Sequence, residues 1–95
     1  MSKSIISNEK ECLICGITTN LHKHHVYFGT GNRKLAESNG CWCYLCADHH
    51  NMSDFGVHNN RAVDLYLKRK CQKILEEEVG WTREYFMSVF GRNYL

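Results

Sequence analysis

The sequence predicts a small α+β domain in which a zinc-stapled pair of strands is followed by carboxy-terminal helices. Three observations carry that expectation. Six cysteines and six histidines cluster instead of scattering through the 95 residues. Two short segments rich in aromatic and β-branched side chains, "LHKHHVYF" and "CWCYLC", flank a polar, glycine-containing stretch. Beyond them, apolar residues recur at helical spacing.

The length allows one domain with a modest core, and a domain of that size usually needs a staple. Disulfides and metal both fit six cysteines, but "MSKSIISNEKE" has no apolar run of the kind that directs secretion. A reducing, cytoplasmic setting and a metal staple are therefore expected, with a disulfide-stapled secreted peptide a distant alternative. No stretch approaches the roughly eighteen apolar residues that span a bilayer. A net charge of +2 permits a nucleic-acid partner without demanding one.

Taken in order, residues 1–10 are polar and expected to be flexible, and residues 11–95 form a single domain. Its first part, 11–58, carries the cysteine knuckle and the strand pair; its second, 59–95, carries helices. Cys12 and Cys15, followed by Gly16, form a tight turn able to present two thiolates to one ion. Strands are expected over 21–28 and 41–46, joined by a loop at "GTGNRK". The segment "ADHHNMSDFGVHNN" begins a helical turn interrupted near Gly56. A long amphipathic helix over 60–79 follows, its stripe marked by Val63, Tyr66, Leu67, Lys70, Cys71, Ile74, Leu75, Glu78 and Val79. Gly80 ends it, and Thr82 caps a shorter helix reaching Phe90, with Glu84 in its first turn and Gly91 just past its end.

Two constellations carry chemistry. Cys12 and Cys15 share their two-residue gap with Cys46 and His49, about thirty residues on, and together supply the four sulfur and nitrogen donors of a closed zinc site. A redox pair at Cys12 and Cys15 is the weaker alternative; Cys41 and Cys43 rival Cys46 as ligands but read, like Cys71, as core cysteines. The second constellation is His24, His25, His50 and His58. A hydrolytic metal site needs open coordination positions and a base that stays off the metal, and adjacent histidines on a strand can divide those duties. A solvated or structural role is the alternative for any one of them.

The order C-x-x-C, "HHV", "LCADHH" and a distal histidine resembles the zinc-stapled HNH endonucleases, whose centre is a ββα-metal (His-Me finger) unit. More narrowly, "HHVYFGTGNRK", "DHHNMSDFGVHNN" and "FGRNYL" resemble the phage recombination-enhancement family of RecA-dependent HNH nucleases, over residues 12–95. The resemblance implies a metal-dependent DNA endonuclease of a phage or prophage acting in a bacterial cytoplasm. It implies His24, His50 and His58 as ligands of a catalytic divalent cation (Mg²⁺, Mn²⁺ or Zn²⁺), with Asp54 as the rival for the third place. His25 matches the general base. Asn39 fits the middle position of the motif, with Asn32 and Asn51 as alternatives. Arg33 and Lys34 are expected to contact phosphate, and Lys23 to assist or to be solvated. The "KRK" at 68–70 reads as an exposed face. Such a base works only when neutral, so acidification is expected to lower activity. DNA is the expected partner, with a RecA-type filament and a second copy of the chain as further candidates. The alternative from another class is a non-catalytic zinc module that recognises DNA or a protein filament.

Overall fold

The computed structural model describes residues 3–54 and 56–95. Residues 1 and 2 of the expected flexible segment, and Phe55 of the "DFGVH" motif, lie outside them. The fold is α+β, a two-stranded antiparallel sheet with helices. Strand β1, Leu21–His25, pairs with β2, Trp42–Cys46, and His24 lies opposite Cys43, His25 opposite Trp42. Period-two alternation turns His22 and His24 to one face of β1, and Lys23 and His25 to the other.

The connection between the strands differs from the expected open loop. It holds a helix, α1 (Asn32–Ser38), entered after Gly29 and Gly31, whose φ angles of 100° and 86° suit glycine. The sequence "RKLAE" consists of good helix formers, and that propensity prevails over the turn character of the glycines before it. β1 accordingly stops at His25, short of Phe28, although Val26 N–H still donates to Cys41 O at 2.9 Å.

After β2 the chain makes one π-helical turn, Asp48–Met52, and the described residues between it and Asn60 carry no helix. Asn60 caps α2 (Arg61–Ile74), its Oδ1 accepting from the N–H groups of Ala62 and Val63 at 3.1 and 3.3 Å. A further π turn, Leu75–Val79, extends α2 to Gly80, so the expected span of 60–79 is filled by two joined elements. Thr82 Oγ1 accepts from Tyr85 N–H to start α3 (Arg83–Phe90), which ends at Gly91 with φ 88°.

The buried face of α2 runs through Asp64, Leu67, Lys68, Cys71, Gln72 and, beyond its end, Leu75, while Tyr66 and Val79 are exposed. The apolar count places the stripe slightly off because three polar side chains occupy core-facing positions. Lys68, expected on a solvated face, is buried instead. It pairs with buried Asp64 at 2.8 Å and lies 4.2 Å from the Phe28 ring centre. Gln72 is buried and satisfied by Asn93 Oδ1 at 2.8 Å and Tyr94 N–H at 2.9 Å.

Tyr27 fills the centre of the core. Its ring stacks on Phe90 at 4.2 Å and meets Phe86 edge-on at 5.4 Å, and its hydroxyl donates to Lys68 O at 2.7 Å. Cys41, Cys43 and Cys71 are buried in the same core. The segment from Lys3 to Lys10 contains no helix or strand and lies along the hairpin, Ile5 N–H donating to Gly40 O at 2.9 Å and Ser4 Oγ to Trp42 O. No helix among the described residues is long and apolar enough to cross a membrane.

Candidate metal centres

Two groups of side chains, one including His49 and the other His50 of the "DHH" turn, could each hold a metal ion. The first is Cys12, Cys15, Cys46 and His49, whose ligand atoms all lie within 4.8 Å of one another. The knuckle brings Cys12 and Cys15 together through the Gly16 N–H to Cys12 O bond of 2.8 Å, and Leu13 N–H to Tyr44 O ties it to β2 at 3.0 Å. His49 Nδ1 sits 3.2 Å from Cys46 Sγ and 3.7 Å from Cys12 Sγ; Cys15 and Cys46 sulfurs are 3.8 Å apart. Burial opposes ionisation of Cys12, but backbone hydrogen bonds at Cys46, Cys15 and Ile14 outweigh it and lower the thiol from 9.0 to about 6. Thiolate at neutral pH is the form that binds zinc, and three sulfurs with one imidazole form a closed structural donor set.

The second group is His24, His50 and His58, again within 4.8 Å. His24 reaches it from the inner face of β1, and His50 from the π turn. His58 arrives on the returning chain, which lies on that turn through Val57 N–H to His49 O at 2.8 Å and His58 N–H to His50 O at 3.1 Å. Gly56 permits this close approach, because a Cβ there would stand 3.0 Å from Asn51 N and from His50 C and O. Successive residues on a helical turn diverge in direction, so His49 joins the cysteine group and His50 the histidine group.

His24 is 2 % exposed, and its Nε2 is buried without a hydrogen-bond partner. An orphaned buried nitrogen costs about 1–3 kcal/mol unless something binds it. Burial, then the neighbouring His50 and His58, lowers the His24 pKa from 6.5 to about 3; burial, His58 and His22 lower that of His50 to about 4. Both imidazoles are neutral at pH 7, the state a metal ligand requires. Nε2 of His50 and His58 are 3.1 Å apart. The three imidazoles thus fit a cation, with one ligand fewer than a closed four-ligand site has.

His25 lies on the other face of β1, yet a single pocket of about 260 Å³ is lined by Lys23, His24, His25, Phe28, Arg33, His50 and His58. His25 Nε2 is 2.9 Å from Glu37 Oε1, and Lys23 Nζ is 2.8 Å from the same oxygen. Glu37 belongs to α1. Hydrogen bonds from Lys23 and then His25 hold its carboxyl below the usual range.

Several expected residues sit elsewhere. Asn39 ends α1, its Nδ2 donating to Leu35 O at 2.9 Å, and does not line the pocket. Asn32 opens α1, and Asn51 O accepts from Asn59 Nδ2 at 3.0 Å; neither lines the pocket. Asp54 is exposed and outside the histidine group, and Lys34 is exposed on α1. Two residues that sequence reasoning left unassigned belong here. Glu37 had no local signal, since it counts only once α1 exists. His22 had one: it shares a strand face with His24, and its Nδ1 lies 2.9 Å from His50 Nδ1, orienting that ring from behind.

Comparison with protein-family models, with curated proteins and with solved structures gives no match for this chain. What the geometry itself defines is a small α+β domain with Cys/His groups able to bind metal.

Proposed function

We propose that the protein is a metal-dependent endonuclease of the HNH type that hydrolyses DNA phosphodiester bonds. The observation that carries this reading is the separation of His25 from its neighbour. His24 turns inward to the histidine group, while His25 stays out of it, lines the same pocket and is held by a carboxylate. A closed structural site has no use for that fourth imidazole.

Glu37 accepts from His25 Nε2–H, which leaves Nδ1 as the basic nitrogen. Nδ1 takes a proton from water in the pocket, and the resulting hydroxide attacks phosphorus in line with the leaving oxygen. His24, His50 and His58 would hold a divalent cation, which when bound would supply positive charge at the scissile phosphate and the leaving oxygen. Arg33, at the pocket wall, binds a non-bridging phosphate oxygen. Lys23, clamped by Glu37, adds positive charge at the same wall. His22 positions His50, and Cys12, Cys15, Cys46 and His49 staple the turn that presents it. Imidazole accepts Mn²⁺ and Zn²⁺ readily, whereas Mg²⁺ prefers oxygen.

The test is conversion of supercoiled plasmid to nicked and linear forms by the zinc-replete protein, with Mg²⁺, Mn²⁺ or further Zn²⁺ supplied separately. Cleavage with at least one ion is expected. The resemblance to RecA-dependent nucleases makes a recombinase filament on DNA the second substrate to try. Absence of cleavage on both substrates overturns the reading and leaves a zinc-binding recognition module.

A further inference from the structure

A second cleft lies outside the histidine pocket, on the face of the hairpin that carries Trp42 and Tyr44. It measures about 430 Å³; its inner wall is Trp42 and Tyr44, and its rim includes Lys3, Lys10 and Glu9. The two rings meet edge-on, 5.4 Å apart at 85°, forming a corner that offers a planar group the face of one ring and the edge of the other. Both are only partly buried. The outer wall is the segment from Lys3 to Lys10, fastened through Ile5 to Gly40 and through Ser4 to the Trp42 carbonyl. Lys10 Nζ stands 5.8 Å from the Tyr44 ring centre.

The cleft adjoins the histidine pocket, the two meeting where Lys23 of one touches Trp42 of the other. Trp42 is the cross-strand partner of His25, and Lys23 that of Tyr44. Lys23 lines the histidine pocket, and its ammonium lies 4.1 Å from the centre of the Trp42 ring. Lys3 and Lys10 outnumber Glu9 at the rim, and the Lys23 ammonium, held by Glu37 at 2.8 Å, links the aromatic corner to the pocket wall that includes Arg33.

A planar, uncharged group tethered to an anionic backbone matches both features. We propose that this cleft binds an unpaired nucleotide of a nucleic-acid strand that continues into the histidine pocket. Its base stacks in the Trp42–Tyr44 corner, and its phosphate lies toward Lys10 and Lys23. In a duplex the bases are stacked on one another and closed to such a corner, so the cleft selects single-stranded or locally opened substrate. The inference rests on the proposed reaction for what happens at the far end, but the binding itself needs no cleavage.

The experiment uses zinc-replete protein carrying His25→Ala, so that binding is read without hydrolysis. In a Trp81→Phe background, the remaining fluorescence comes from Trp42. Oligothymidylate is expected to quench it, and a duplex of equal length to leave it nearly unchanged. By anisotropy, Trp42→Ala and Tyr44→Ala are each expected to weaken oligothymidylate binding about tenfold, the size of one lost base stack. Lys10→Gln, on an exposed side chain that the fold does not need, is expected to weaken it less and to flatten its salt dependence. Unquenched Trp42 fluorescence at saturating oligothymidylate overturns the proposal, as does equal affinity for single strand and duplex. Either result can stand beside plasmid cleavage by wild-type protein, in which case the cleft fails and the nuclease reading survives. Quenching together with an inactive wild-type enzyme separates them the other way.

Discussion

His24 and His25 stand next to each other and face different partners, as do His49 and His50. On β1 the period-two alternation separates the first pair, and on the π turn the angular step separates the second. Those divisions were legible in the sequence because they follow from backbone geometry alone. His22 was half-legible, sharing its strand face with His24. Glu37 was not, because its meeting with His25 depends on how α1 packs across the hairpin. Two predictions belong at this scale. Glu37→Gln should lower kcat with little change in KM, since a neutral amide holds the His25 ring with a weaker bond; steady-state kinetics on a plasmid substrate checks this. The carboxyl of Glu37 is also depressed in the folded protein by Lys23 and His25. The sign follows: the unfolded chain takes up this proton first, so the carboxylate's stabilising contribution is present above the unfolded value and is lost as pH falls through the folded one. The stability difference between wild type and Glu37→Gln should therefore be constant at neutral pH and shrink below about 4.5, the ordinary glutamate value, as denaturant melts across that range would record.

At the scale of elements, the capped helices were the most legible part of the fold. Gly80, Thr82 and Gly91 mark boundaries by local chemistry, and the structure uses each of them. α1 was obscured by the glycines before it, and the stripe of α2 by Asp64, Lys68 and Gln72, polar residues that each find a partner in the core, although Asp64 Oδ1 is left without one. A hydropathy pattern cannot distinguish a buried ion pair from an exposed one. Breaking the Asp64–Lys68 pair from one side leaves an uncompensated buried charge, so Asp64→Ala should destabilise the fold by roughly 3–5 kcal/mol. A thermal or urea melt measures it, and a change under 1 kcal/mol would mean that Lys68 finds solvent. The return of His58 onto the π turn depends on Gly56. Gly56→Ala should push the returning chain away and weaken metal binding by the histidine group about tenfold or more, while the cysteine group keeps its ion. Metal titration monitored by mass spectrometry reads both sites in one experiment.

For the molecule as a whole, the cysteine group joins the knuckle, the end of β2 and the π turn, three segments that a core of this size holds only weakly without a staple. A metal held there would be part of the folding free energy, and the histidine group is assembled on the turn that such a staple would fix. Cys46→Ala, or a strong chelator, should unfold the domain cooperatively, seen as loss of near-ultraviolet circular dichroism. The two-site plan was legible because ligand spacing is short-range. The aromatic cleft was not, since it needs the segment from Lys3 to Lys10 folded back over β2. The most direct measurement on the central claim is the metal content and plasmid cleavage of His25→Ala beside wild type. With His25 as the base, equal metal at both groups, an unchanged fold and cleavage lowered by at least about a hundredfold are expected. Loss of metal from the histidine group in this variant, or cleavage equal to wild type, would contradict that role, because His25 would then be a ligand or a bystander instead of the base.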